Sequence, residues 1–275
     1  MKIKAFAFDM DGTLLLPDSS GPHPETMKAL KEAHEAGYKI ILATGRPIYQ
    51  TKATASSIGF VSYIVGNNGA SLYNLKAEKN ISTNFLTEEL FQTMVKIGEE
   101  TKSFFVMSTT ENVYKLNFYD GTNVPEWVTM SVNDFGEPDK REDVEKAART
   151  EKITQLTIKN DKELILEKHT ELKAKWNEKV SMHIANEVYL DVNPLGASKL
   201  TGIETVLKND GIDVSEVMTF GDSGNDIQMI EGAGYGIAMS NATEGAKAVA
   251  DEIIGHHSTD TIAVKLREVI KSQSK

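Results

Sequence analysis

Short apolar runs alternate with amphipathic stretches from the first residues onward. Residues 3–8 form an apolar run that stops at acids, with the length and aromatic content of a buried strand. Residues 24–36 carry Met27, Leu30, Ala33 and His34 at three- and four-residue spacing. Pro24 suits a first helical turn and Gly37 a stop, so the stretch predicts a crossover helix. A strand at 38–43, a helix at 47–58 closed by Gly59 and a strand at 63–65 repeat the cycle. Strands that alternate with helices in this way predict a parallel sheet of the doubly wound, Rossmann-like kind.

At Gly66-Asn67-Asn68-Gly69 the pattern changes, because Asn-Gly between extended flanks predicts a hairpin in place of a crossover. Strands then cluster around helices: helix 88–100, strands 104–107 and 113–118, a weakly patterned stretch, strand 153–158, helix 162–177, and strands 180–185 and 187–192. This grouping predicts a separate α+β unit. Alternation returns with helix 199–208, strand 217–220, a helix from Asn225, a short strand at 236–238 and a terminal helix at 260–271. The predicted organisation is one α/β core, residues 1–84 and 191–275, interrupted by an α+β domain at 85–190.

Composition narrows the partners. A formal charge of -10, from 40 acidic and 30 basic residues, argues against nucleic acid or an anionic membrane surface, since both need a basic face. The absence of cysteine excludes disulfides, thiolate nucleophiles and cysteine-ligated metals, and fits a reducing cytoplasm. The apolar run before Asp9 is about half the length of a signal peptide's hydrophobic region, and no stretch approaches the roughly 20 apolar residues of a membrane span. The expectation is a soluble, cytoplasmic protein with no nucleic-acid or membrane partner.

Candidate chemistry gathers at predicted strand ends, where open α/β sheets place their ligand sites. Asp9-Met10-Asp11-Gly12-Thr13 follows the first strand, although an acid-rich turn would supply the same residues. Thr44-Gly45-Arg46 follows the second, where a hydroxyl, an amide and a guanidinium can face an anion; Thr-Gly is also an ordinary turn before a helix. Gly221-Asp222-Ser223-Gly224-Asn225-Asp226 ends a late strand, and reads either as a phosphate- or metal-binding loop or as a capped helix entry. Lys199 starts a helix, where the macrodipole disfavours a cation unless an anion is near, although most lysines are simply solvated. The conjunction of all four at one edge of a single sheet is what independent turns do not explain.

These residues together resemble the haloacid dehalogenase-like hydrolases, and within them the Cof-like phosphatases. The resemblance rests on DMDGT at 9–13, Thr44 in ATGR, Lys199 in GASK and GDSGND at 221–226, with NNGA at 67–70 and the position of the insertion. Leu200, Ser240 and Thr261 stand where the family tends to have glycine, and touch no reacting group. The resemblance implies a Mg2+-dependent phosphatase of a small phosphorylated metabolite, such as a sugar phosphate, with Asp9 as nucleophile and Asp11 as acid and then base. It further implies a metal held by Asp9, the backbone carbonyl of Asp11 and Asp222, with Asp226 behind them. Lys199, Thr44, Gly45 and Asn225 would meet the phosphate, and Arg46 would reach toward the leaving group. Gly12 and Gly221 would let backbone approach the phosphate, although turn geometry alone also explains them.

The insertion resembles a cap that selects the substrate. Tyr114, Asn117, Tyr119 and Trp127 are candidate lining residues that serve equally as packing, and His169 and His183 read as ordinary helix and strand residues. A monomer suffices if the cap is supplied in cis. A phosphomutase using the same aspartyl-phosphate, or a non-enzymatic phospho-signalling module, are the competing readings.

Overall fold

A computed structural model describes residues 2–121, 125, 127–129, 131, 136–185 and 187–273. In chain order the strands are β1 (Ala5–Phe8), β2 (Lys39–Ala43), β3 (Tyr63–Gly66), β4 (Ser71–Asn74), β5 (Lys79–Asn80), β6 (Phe104–Thr109) and β7 (Val113–Asn117). They continue with β8 (Ile153–Lys159), β9 (Val180–Ala185), β10 (Tyr189–Pro194), β11 (Val217–Gly221), β12 (Tyr235–Met239) and β13 (Glu252–Ile254). The helices described are α1 (Pro24–Glu35), α2 (Ile48–Ile58), α3 (Glu88–Thr101), α4 (Arg141–Thr150), α5 (Lys162–Trp176), α6 (Lys199–Lys208), α7 (Ile227–Gly232), α8 (Glu244–Ala248) and α9 (Thr261–Gln273). The chain divides into two compact units, Met1–Ile81 with Ser198–Lys275, and Ser82–Ala197.

The first unit is built on a sheet of order β13-β12-β11-β1-β2-β3-β4-β5. Its strands run parallel from β13 to β3, and β4 and β5 are antiparallel. Alternate residues go to opposite faces, as the pleat demands. Phe6, Phe8, Leu42 and Phe220 pack with Leu30 of α1, Ile58 of α2 and Leu266 of α9, whereas Ala5, Ala7, Ile41 and Val217 pack with Ile203 and Val206 of α6. Helices therefore cover both faces, which gives the doubly wound sheet that the alternation predicts. β1 lies between β2 and β11, so the chain winds away from it in both directions and leaves a switch point at its carboxyl end.

The second unit is an antiparallel sheet of order β7-β6-β8-β10-β9. One face, with Phe105, Leu156, Leu190 and Val192, packs against Phe91 of α3, Val144 of α4 and Leu172 of α5. Residues of opposite parity are mixed: Phe104 and Val106 pack with Trp127 and Val128, whereas Thr157 Oγ1 donates to Asp191 Oδ1 at 2.7 Å. The fold is thus an α/β core with an inserted α+β domain.

Several details differ from the sequence reading. Helix α4 lies in the weakly patterned stretch, because charged residues dominate it and its buried side is only Val144, Ala147 and Ala148. Strands β5 and β13 and helix α8 are too short to leave a periodic signal. The hairpin turn is longer than a two-residue Asn-Gly loop: Asn67, Asn68 and Gly69 all take positive φ, at 48°, 52° and 95°. The helix expected from Asn225 begins at Ile227, after a single 3-10 turn at Gly224–Asp226. No described helix is long and apolar enough to cross a membrane.

Candidate active site

Four loops of the first unit meet at the carboxyl ends of β1, β2 and β11. Asp9 follows β1, and its amide still donates to Phe220 O at 2.9 Å, so β11 fixes where the carboxylate begins. The next residues, Met10–Leu14, coil into a single wide turn. Gly12 there has φ 82°, and a Cβ on it would lie 2.6 Å from Asp222 Oδ2. The missing side chain therefore makes room for a carboxylate. At Gly221 a Cβ would meet Asp226 Cβ at 2.6 Å, for the same reason. Within this turn the side chain of Thr13 is buried and donates from Oγ1 to Asp222 Oδ1 at 2.8 Å.

Lys199 is the first residue of α6 and is 1% exposed. Ser198 caps the helix, with its Oγ accepting from Thr201 N while Thr201 Oγ1 accepts from Ser198 N. A cation here opposes the helix dipole. What holds it is a pair of buried carboxylates: Lys199 Nζ donates to Asp9 Oδ1 at 2.5 Å and to Asp226 Oδ1 at 2.6 Å. The anion that the macrodipole called for is thus the protein's own. Gly69 lets the 67–69 turn lie against this helix start, since a Cβ at Gly69 would fall 1.9 Å from Ser198 O.

Asp226 is fully buried and well used, as Oδ2 accepts from Asp222 N at 3.0 Å and from Ser223 N at 2.9 Å. Oxygens of Asp9, Asp222 and Asp226 lie within 4.8 Å of one another. Burial pushes the Asp9 carboxyl well above the usual carboxylate range; Lys199 pulls it back, and Asp226 and Asp222 push it further up. Burial likewise raises Asp222, against the hydrogen bond from Thr13. For Lys199 burial works to lower the ammonium, but Asp226 and Asp9 outweigh it and hold the proton more tightly than an ordinary lysine does. Three carboxylates around one ammonium leave surplus negative charge. An all-oxygen donor set with that surplus fits a hard divalent cation.

On the other side of Asp9, Thr44 is buried and its Oγ1 accepts from Arg46 N at 3.1 Å, leaving the hydroxyl proton to donate. A Cβ at Gly45 would lie 3.3 Å from Asn68 Oδ1, so that loop runs beside Asn68 and Asn225. Asn225 Nδ2 donates to Asn68 Oδ1 at 2.9 Å, and Ser223 Oγ donates to Asn225 Oδ1 at 2.6 Å. Asp11 stands apart from the acidic cluster. Its backbone, at φ -82° and ψ 117°, is extended within the Met10–Leu14 turn, and its half-exposed side chain meets Arg46. Asp9, Asp222, Asp226, Lys199, Thr44, Gly45 and Asn225 therefore come together, while the Asp11 and Arg46 side chains pair with each other beside them.

Sequence reasoning did not single out Thr13, Asn68, Asn241 or His257. Asn241 Nδ2 donates to Gly12 O at 2.8 Å, and its Oδ1 accepts from His257 N at 3.2 Å. His257 Nδ1 lies 2.7 Å from Leu15 O. The NNGA turn was the one available signal for Asn68. Thr13 stands in the DMDGT motif without a role assigned to it, and Asn241 and His257 act across long sequence separations that no local pattern marks.

A switch point ringed by carboxylates, a buried lysine, a hydroxyl and backbone amides is the site of an enzyme that handles phosphate. Comparison with known proteins gives the family: residues 6–266 match the model for haloacid dehalogenase-like hydrolases. The chain belongs to that family and is a hydrolase of phosphate monoesters. It is 29% identical to a 5-amino-6-(5-phospho-D-ribitylamino)uracil phosphatase of Bacillus subtilis (strain 168), covering 96% of this chain and 95% of the relative. It is 27% identical to a pyridoxal phosphate phosphatase of Escherichia coli (strain K12), covering 96% and 97%. Among solved structures it is similar to a sugar phosphatase of subclass IIB, with TM-score 0.80 and 26% identity over 96% of this chain and 98% of that one.

Proposed function

We propose that the protein is a Mg2+-dependent phosphatase of a small phosphorylated metabolite, of the sugar-phosphate type, that works through an aspartyl-phosphate on Asp9. The observation that carries this reading is the buried Asp9–Lys199–Asp226 chain next to Asp222. In the first step an Asp9 oxygen bonds to phosphorus while the bond from phosphorus to the leaving oxygen breaks, and Asp11 gives that oxygen its proton. In the second, Asp11 takes a proton from water, the water oxygen bonds to phosphorus, and the bond to Asp9 breaks.

Attack by one anion on another needs positive charge and donors fixed in advance. Lys199 is assigned to supply the charge, and the Thr44 hydroxyl, the Gly45 amide and Asn225 are assigned as donors to the phosphoryl oxygens. Mg2+, held by Asp9, Asp222 and the backbone carbonyl of Asp11 with Asp226 behind, would neutralise phosphoryl oxygens when bound. Asp226, which already serves Lys199 and two amides, is assigned chiefly to positioning.

We assign substrate choice to the inserted domain acting as a cap. The side of its sheet away from α3, α4 and α5 carries hydrogen-bonding residues such as Thr157 and Asp191, which suit a hydroxylated leaving group, and related phosphatases are named for phosphorylated ribityl, pyridoxal and sugar compounds. The test is release of inorganic phosphate from p-nitrophenyl phosphate and a panel of sugar phosphates, with and without Mg2+. Asp9→Asn is expected to abolish turnover, and mass spectrometry of quenched wild type should find phosphate on Asp9. Wild-type-like turnover by the variant rejects the reading, and isomerisation without phosphate release makes the protein a mutase.

A further inference from the structure

The hydrogen bonds around the Met10–Leu14 turn fix its backbone but not the Asp11 side chain. Leu14 N donates to Asp9 O at 3.2 Å, Leu15 N to Met10 O at 2.9 Å, and Asn241 Nδ2 to Gly12 O at 2.8 Å. The Asp11 side chain itself is 52% exposed and takes no part in the Lys199 network. Its partner is the Arg46 guanidinium: Nε donates to Oδ2 at 2.7 Å and Nη2 to Oδ1 at 2.5 Å.

Arg46 is in turn fixed from behind, because its amide donates to Thr44 Oγ1 and its carbonyl accepts from Asn67 N. A half-exposed ion pair of this kind contributes little to folding, so stability does not account for it. Its geometry is more informative. A planar fork gripping both oxygens sets the rotation of the carboxylate, which an ammonium, acting as a point charge, does not. Each carboxylate oxygen accepts at two sites, so the fork leaves one free on each oxygen for a moving proton.

We propose that Arg46 is a positioning residue for the reaction: it orients the Asp11 carboxylate toward the leaving-group oxygen, and its guanidinium is committed to Asp11 rather than to the phosphate. This rests on the phosphatase reading above. A residue that acts through the proton donor matters most when the leaving group is poor, whereas one that binds phosphate matters equally for every ester.

The experiment compares kcat/KM for p-nitrophenyl phosphate and for unsubstituted phenyl phosphate, whose leaving group is poorer. Arg46→Ala is expected to lose at least about fivefold more activity toward phenyl phosphate, with the excess in kcat rather than KM, as general-acid contributions of this size allow. Arg46→Lys, which keeps the charge without the fork, should show the same substrate bias in smaller measure. It also covers the case in which the alanine variant does not fold. In an Asp11→Asn background, Arg46→Ala should cost less than about twofold more, because its route is already cut. Equal losses on both esters, or full additivity with Asp11→Asn, overturn the proposal. Failure of the phosphatase reading looks different: Asp9→Asn would then leave turnover of both esters intact.

Discussion

Asp9 occupies a place where a bare carboxylate is poorly tolerated. It is almost fully buried, Asp226 shares its single ammonium, and Asp222 lies beside both acids. Its carboxyl is raised by burial first, with Asp226 and Asp222 adding to the effect. A group whose folded pKa is raised binds its proton more readily in the folded chain. Its ionisation therefore works against folding, and the penalty grows as pH climbs from the unfolded value to the folded one. Asp9→Asn keeps an oxygen for Lys199 and removes the charge. In metal-free protein the variant should melt about 3 °C above wild type at pH 8, and the gain should shrink at pH 5. Added Mg2+ should narrow the difference, since only the wild-type carboxylate is a strong ligand. Thermal melts at the two pH values decide it, and a metal-free variant less stable than wild type at pH 8 contradicts the electrostatic account. On the proposed reading, the arrangement trades stability for a nucleophile already stripped of water.

At the scale of elements, legibility followed burial pattern and length. Strands β1, β2 and β11 were readable because both faces are covered, which leaves unbroken apolar runs, and α6 because Ile203, Val206 and Leu207 repeat on one side. Helix α4 was lost among its charges, and β13 and α8 were too short for any period to show. In the site, residues that stand at strand ends were legible. The contacts of Thr13, Asn241 and His257 were not, because no motif pairs them with their partners 209, 229 and 242 residues away. The pairing of the Asp11 side chain with Arg46, outside the Lys199 network, was also hidden, because no local pattern marks it.

His183 on β9 shows the same limit. It reads as a plain strand residue, yet its Nε2 is buried with no hydrogen-bond partner among the described residues, and burial lowers its pKa. The unfolded chain then binds the proton more readily. The inserted domain should keep full stability above about pH 6.5 and lose it as pH falls from there through the lower folded value. Both tryptophans, Trp127 and Trp176, lie in this domain, so their fluorescence reports its unfolding in the intact chain. The urea midpoint should drop between pH 7.5 and 5.5 in wild type and drop less in His183→Gln. Equal drops would place the pH sensitivity elsewhere.

The molecule as a whole has its hydrophobic cores distributed between its two units. Those around Phe6, Phe8 and Ile41 belong to the first unit, and those around Phe91, Phe105 and Trp127 to the second. Every carboxylate of the acidic cluster comes from the first unit, at the ends of β1 and β11. A ligand that binds the folded form stabilises what it binds, by about 2.7 kcal/mol at a hundredfold excess over Kd. Mg2+ should therefore slow amide hydrogen exchange in peptides spanning β1 to Leu14 and β11 to Asp226, where the amides of Asp222 and Ser223 already bond to Asp226. Peptides from β8 and β10 have no carboxylate in the cluster and should exchange at unchanged rates. Asp222→Ala should erase the effect in the first set, because it removes a donor without touching the Lys199 bridges. Uniform protection of both units by Mg2+, or protection that survives Asp222→Ala, would mean that the ion acts somewhere other than these three acids.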